Sequence, residues 1–483
     1  MPCVRHGTKT VEPGIVNTTT QKIGWTERLG HTVAVFTAFA IALVSCLAPM
    51  PAAAQQRNLP LIRDAEIEGL MRLYTQPIFK AAGIHPGAVR VHLVNHNSVN
   101  AFVAGGQRIF IHTGLLLDSK TPNEVIGVLA HETAHIAGGH LARLGIQVDK
   151  LTTATIVGML LGAAAVAGAA ASGTKGAGKA GVAAVLAPQS FAQRQLLAYA
   201  RVQESASDQA AVRFLDRTGQ SSKGMLELFY KLANRSIGSL QHIDPYVQSH
   251  PLPLERIRNL ERIAKASKHF NKKDSKALVL RHKLMQAKLI GFLKGPQAVY
   301  RKYPSSDKSL AGRYARAIAA FRSGSIRTAI PITDSLIKDM PKNPYFRELK
   351  GQALLESGRA AQAIKPLRAA AKRLRNNGLI GIMLGQAYLN AGGGDNARAA
   401  LKVLKRARRS ENDQPRLHLL MATAYGKLNL IALAELETAE AAILVGDNKL
   451  AGQKIKRAMK GLKRGTPEWI RANDILNFSR HKS

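Results

Sequence analysis

Residues 131–135 read His-Glu-Thr-Ala-His. On a helix the two histidines stand at i and i+4 and leave one face, while Glu132 points to the adjacent face. Two imidazoles so spaced can share a zinc ion, and a carboxylate beside them can hold a water and take its proton. The same pentapeptide also fits an ordinary amphipathic helix that happens to carry two histidines. The surrounding sequence has to decide between the two.

The elements that would position this group are legible upstream. Thr121-Pro122-Asn123-Glu124 has the form of a helix start, with Thr121 as N-cap, Pro122 at the first helical position and Glu124 completing a capping box. Val125, Val128 and Leu129 then give an apolar stripe that would seat the helix in a core, and Gly138-Gly139 would end it. Earlier, Val89–Val94 and Arg108–His112 are β-rich, and Asn100–Val103 between them leads into a Gly105-Gly106 turn. These segments predict a small antiparallel sheet against the helix.

A catalytic zinc takes a third protein ligand and leaves a position open. A second helix is expected from about Gln193 to Thr218, and it carries Glu204 and Asp208 at i and i+4. Alone, such a pair is usually a solvated helix face. Beside His131 and His135, Glu204 completes a His-His-Glu set for one zinc per chain. Asp208 would accept from the outer ring nitrogen of His131 and fix its tautomer. His140 lies five residues past His135, too far round the helix to share the metal, and reads as structural.

With these pieces in hand, the chain resembles the M48 family of zinc metallopeptidases, of the gluzincin group. The resemblance rests on Asn100-Ala-Phe102, Thr113-Gly-Leu-Leu116, His131-Glu-Thr-Ala-His135, Glu204 with Asp208, and His250-Pro251 with Arg256, and covers about residues 70–260. Ser207 departs from the alanine usual in the family, a small change. The resemblance implies an α+β zincin-type fold in which His131, His135 and Glu204 hold zinc and Glu132 is the base. It also implies that the Pro-rich loop with His250 and Arg256 lies at the cleft. There His250 or Arg256 stabilises an oxyanion, or His250 fills the open zinc position and keeps the enzyme latent; both roles stay open.

The N-terminus sets the compartment. An apolar run over residues 32–49 follows basic residues, and Pro51-Ala-Ala-Ala54 offers an A-x-A cleavage site, so residues 1–54 read as a signal peptide. Leu43-Val-Ser-Cys46 is the weaker, lipobox alternative. Cys3 and Cys46 are the only cysteines, which excludes cysteine catalysis and thiolate ligands from a mature chain beginning at Gln55. Lys plus Arg number 69 against 31 Asp plus Glu, a formal charge of +38. A charge of this size points to nucleic acid, to an anionic membrane or to a lineage-wide bias, and secretion excludes the first. Leu151–Ala171 is uncharged and long enough to span a membrane, but its small residues favour a soluble helical hairpin with possible membrane contact.

The second half repeats. Gly324, Gly358 and Gly392 are 34 residues apart, as are Ala319, Ala353 and Ala387, and Ala329, Ala363 and Ala397. That period is the tetratricopeptide signature, and an all-α tetratricopeptide-repeat superhelix is expected over 270–480, after a peptidase domain over 55–268. Met285–Tyr300 would be a capping helix, and Arg368, Lys372, Arg373, Arg375, Lys402, Lys405, Arg406, Arg408 and Arg409 would make the groove basic or else solvate the backs of the helices. M48 motifs and such repeats in a secreted chain resemble the periplasmic proteases of outer-membrane protein assembly. That implies misfolded or unassembled proteins as substrates and the outer-membrane assembly machinery as partner. The competing reading is a chaperone or scaffold with a latent or structural zinc site. The intact Glu132 opposes it, since a structural site needs no base.

Overall fold

The computed structural model describes residues 59–171, 177–237 and 245–481. The expected signal peptide and Cys46 lie outside them. The N-terminal half begins with β1 (Leu61–Ile62) and α1 (Ala65–Ala81), whose N-cap Asp64 accepts from Ile67 N. Strands β2 (Arg90–Val94), β3 (Ala101–Ala104) and β4 (Arg108–His112) follow, then α2 (Thr113–Asp118) and α3 (Pro122–Ala137).

The sheet is mixed rather than antiparallel, in the order β1-β2-β4-β3. Gly105 and Gly106, at φ +56° and +91°, close β3 and β4 into a hairpin with the residues such a turn requires. That hairpin folds back so that β4 lies parallel to β2, with Val91 opposite Ile109, and β3 takes the sheet edge. Helix α3 starts at the expected residues, with Pro122 in its first turn and Thr121 accepting from Glu124 N, but the Glu124 carboxylate accepts from Lys120 N rather than closing the box on Thr121. Every residue from Pro122 to Ala134 is buried, so the helix is held on all sides by α1, β3 and the helices that follow.

Two long helices come next, α4 (His140–Ala171) and α5 (Ala177–Arg217), packed on each other as a hairpin arm. α5 starts well before the expected Gln193, because the Ala-rich stretch ahead of it continues the helix through Pro188. Helices α6 (Lys223–Ile237), α7 (Pro245–Ser249) and α8 (Leu254–Lys265) close the core of this half.

The rest is helical. Residues 285–300 are not one capping helix but parts of α9 (Lys276–Leu293) and α10 (Pro296–Lys302), separated where Gly295-Pro296 stops one helix and starts the next. Five helix pairs follow: α11 and α12 (Leu310–Arg322, Ile326–Asp339), α13 and α14 (Pro344–Glu356, Ala360–Arg373), α15 and α16 (Gly378–Ala391, Gly394–Glu411), α17 and α18 (Pro415–Lys427, Ile431–Leu444), α19 and α20 (Asn448–Gly461, Pro467–His481). Each helix packs on its neighbour in sequence. Gly324, Gly358 and Gly392 all take φ of +76° to +78° just after the first helix of a pair, a conformation that favours glycine. The alanines of the 34-residue period are buried where helices cross.

Where the array meets the N-terminal half, the contact is charged and buried. Lys288 of α9 lies 2.7 Å from Asp64, 3.5 Å from Glu66 and 3.7 Å from Glu348 of α13. Tyr314 of α11 donates to Glu66 at 2.8 Å, and Met285 and Leu289 of α9 belong to the same apolar core as α3. A cavity of about 420 Å³ opens here between β1 and the first helices of pairs, α13 and α15. None of the nine cations expected to make a basic groove lines it. They lie on α14 and α16, the second helices of their pairs, or just beyond, and all but the half-buried Arg408 are exposed. Arg368 reaches the Tyr388 hydroxyl at 2.9 Å, Lys405 lies over the Tyr425 ring and Arg408 pairs with Glu437 and Glu440, so these three brace the next helix pair rather than only meeting solvent.

Farther along the array, His418 of α17 is buried with an acceptor at each ring nitrogen: Glu437 and Glu440 at 2.8 and 3.0 Å from Nδ1, and the Asn412 carbonyl at 2.9 Å from Nε2. Burial opposes its charge, but the two carboxylates raise it to about 9. Arg408 and Arg471 bind the same carboxylates. A folded-state value above the unfolded one means that the stability His418 contributes is complete below about pH 6.5 and lost as pH rises through about 9, on the order of 3 kcal/mol. Urea unfolding across that window should show the loss, and His418→Gln should remove most of it; equal losses in both proteins would mean that the ring is not charged.

Candidate metal centre

Helix α3 presents His131 and His135 from one face, with their Nε2 atoms 3.0 Å apart. Helix α5 brings Glu204 to them: one carboxylate oxygen is 3.3 Å from His131 Nε2 and the other 3.4 Å from His135 Nε2. Ligands about 2.0–2.1 Å from a tetrahedral zinc are separated by about 3.3 Å, so this spacing suits a shared metal. Two ring nitrogens at 3.0 Å with a carboxylate over them also call for a cation. The identity of the metal rests on the chemistry of two imidazoles and a carboxylate, a set that suits zinc.

Asp208, one turn beyond Glu204, has Oδ1 3.0 Å from His131 Nδ1. Arg256 of α8 grips the same carboxylate through Nε and Nη2 at 2.7 and 2.9 Å. Its Nη1 lies 2.8 Å from both Glu204 and the Pro251 carbonyl. The guanidinium is therefore committed to two carboxylates and a backbone oxygen. Burial would raise Asp208, but Arg256 and His131 hold it below the usual carboxylate range, and His131 and His250 do the same for Glu204.

Glu132 is fully buried, and neither of its oxygens has a hydrogen-bond partner among the described residues. Burial raises its carboxyl above the usual range. His250 sits across from it, with Nδ1 3.0 and 3.2 Å from the oxygens of Glu204 and Nε2 3.5 Å from Glu132. His250 joins His131, His135 and Glu204 as the fourth member of one potential donor set. The orphaned atoms of Glu132 and the Nε2 of His250 converge where a metal and a water would satisfy them.

His140 stands outside that donor set; its Nδ1 is 3.1 Å from both His135 Nδ1 and Ser207 Oγ. The hydroxyl that departs from the family pattern thus has a partner. Sequence reasoning missed the aromatic wall. Phe229 of α6 meets His131 edge-on at 5.8 Å and lies 5.6 Å under the Arg256 guanidinium, while Tyr246 stacks at 4.7 Å on His250. The i, i+4 spacing of Tyr246 and His250 was the available signal. The second group with metal-ligand residues, His418, Glu437 and Glu440, already has Arg408 and Arg471 on its carboxylates, and reads as an ion-pair network.

A helix-borne His-Glu-x-x-His group joined to a glutamate on a second helix defines a metallopeptidase centre, and residues 71–264 match the family model of Peptidase family M48. The chain carries an M48 metallopeptidase domain over that span. Across more of its length it is similar to the β-barrel assembly-enhancing proteases of Yersinia pestis and Escherichia coli K12. Identity is 24% to each, over 72% and 77% of this chain and 70% and 74% of theirs. It is also 29% identical to the metalloprotease LoiP of Escherichia coli K12, over 41% of this chain and 72% of that one.

If the three donors act as a set, the purified protein should hold about one zinc per chain, and His131→Ala or Glu204→Gln should lose it. Metal content by atomic emission decides this; full occupancy in Glu204→Gln would sink the ligand assignment.

Proposed function

We propose that this chain is a zinc endopeptidase of the periplasm that acts on misfolded or unassembled proteins in the quality control and assembly of the outer membrane. The observation that carries the enzymatic part is Glu132: fully buried, without a hydrogen-bond partner at either oxygen and beside three donors spaced 3.0–3.4 Å apart. A scaffold or chaperone with a structural metal has no use for such a group. The assembly role rests on the relatives named for β-barrel assembly, and export rests on the presequence over residues 1–54.

In this reading His131, His135 and Glu204 hold the metal, and what zinc supplies when bound is Lewis acidity toward a peptide carbonyl and a water. Glu132 takes the proton of the attacking water and delivers it to the amine nitrogen as the C–N bond breaks. Asp208 fixes the His131 ring with Nδ1–H outward and Nε2 facing the metal, and Arg256 holds Asp208 and Glu204 in register. Strand β3 lies at the sheet edge, so its outer main-chain groups can pair with an extended substrate. The peptidase domain is assigned to 55–268. The paired helices over 270–480 are assigned to tetratricopeptide repeats that select partners.

Glu132→Gln should keep its zinc and lose digestion of unfolded casein by roughly a hundredfold or more. Near wild-type rates in that variant would place the base elsewhere.

Of the two roles open to His250, the fourth-donor position favours latency, since a side chain there occupies the approach to the centre. His250→Ala should then raise basal casein digestion with zinc content unchanged. A fall in rate would assign His250 to the oxyanion instead, and no change would make it part of a structural turn.

A further inference from the structure

Helix α4 is the one helix among the described residues long and apolar enough to cross a membrane, with mean hydropathy 1.3 in an 18-residue window of which none is buried. Ile146, Ile156, Val157, Leu160 and Leu161 fall on one side of it at helical spacing, and Leu160 and Leu161 are 61% and 67% exposed. Phe191 on α5 is equally exposed. The arm's two facing sides are already matched: a Cβ on Gly158 of α4 would stand 2.8 Å from the Pro188 ring of α5. The outward side of α4 has no such cover among the described residues.

The charges on the arm are mostly positive. Arg143, Lys150, Arg194 and Arg201 are exposed, against Asp149 as the exposed acid, and the sequence adds Lys175 between the two helices and Lys179 at the start of α5. Apolar residues bordered by cations match the chemistry of an anionic lipid surface, where the apolar side reaches the acyl boundary and the cations reach phosphate. A second copy would bring the same cations together. Crossing is opposed by the Ala and Gly content of α4 and by the lysines that follow it.

We propose that the α4–α5 arm docks flat on an anionic bilayer surface, with Ile156, Val157, Leu160 and Leu161 at the acyl boundary. Glu204 is on the same helix as Phe191, thirteen residues on, or about 20 Å along the axis. The metal centre would then work close to the lipid, on chain segments held at the membrane. The binding does not depend on proteolysis, so its failure and that of the enzymatic reading are separable.

The test is sedimentation of the mature chain from Gln55 with vesicles of phosphatidylethanolamine and phosphatidylglycerol, and with vesicles of phosphatidylcholine alone. The anionic vesicles should bind roughly tenfold or more tighter and release the protein in high salt. The double variant Leu160→Asp with Leu161→Asp should bind anionic vesicles roughly tenfold or more weaker, with zinc content and casein digestion unchanged. As a measurement that does not disturb the face, a nitroxide on Leu160→Cys of the mature chain from Gln55, whose sequence holds no other cysteine, should be shielded from polar relaxants by anionic vesicles. The same label on Val445→Cys in the array should not be. Equal binding to both vesicle types, no binding, or an unshielded Leu160 label would overturn the proposal. So would a wild-type dimer that the double variant turns into a monomer, since that assigns the face to a second copy.

Discussion

The buried carboxylate of Asp208 is the joint on which the centre depends. It is held on one side by the fork of Arg256 and on the other by His131 Nδ1. His131, Glu132, Glu204, Asp208 and Arg256 are all buried in a core otherwise built of aliphatic and aromatic side chains. Isolated charges in such a place cost several kcal/mol each, and only mutual pairing offsets that. The pairing ties together helices that are far apart in sequence: α3 supplies the imidazoles, α5 the carboxylates and α8 the guanidinium. The centre is therefore also a fastening of the core, and its geometry follows from α3 being clamped on every side.

The same logic recurs where the array joins the peptidase half. Lys288 is buried among Asp64, Glu66 and Glu348, and Arg63 reaches Glu411 at 2.7 Å. Burial raises Glu348 to about 7 even with Lys288 beside it, so this cluster holds negative charge reluctantly. Removing the array would strip Lys288 from Asp64 and Glu66 and open the apolar contacts of Met285 and Leu289. A peptidase half without α9 is a different object from the one described here, which bears on any attempt to divide its work from that of the array.

Much of the centre was legible because local spacing carries it. His131 and His135, and Glu204 and Asp208, are i, i+4 pairs, and Thr121 to Glu124 is a capping signal; each is a statement about one helical turn. The repeat was legible for the same reason, since a 34-residue period returns Gly324, Gly358 and Gly392 to one conformation. What could not be read depends on chain paths. The mixed sheet follows from where the β3–β4 hairpin lands relative to β2. The bond from His250 to Glu204 and the wall made by Phe229 and Tyr246 need α6 and α7 to arrive from outside the motif. The nine cations of the array kept two readings because a period gives spacing along the chain, and not which helix of a pair faces inward.

The arm and the centre share a helix, and that has a mechanical meaning. α5 runs from the arm through Glu204 and Asp208 into the core, while α4 begins at His140, whose ring touches both His135 and Ser207. A load on the arm reaches the donor set through two adjacent points, and at the far side Arg256 anchors the same two carboxylates. Such an arrangement resists sliding of α5 along its axis, because a shift of one residue, about 1.5 Å, would break the Arg256 fork and the spacing of Glu204 from both imidazoles together. The charge pairs that offset the cost of the centre inside an apolar core thus also hold the potential donor set in place at the base of a long exposed arm.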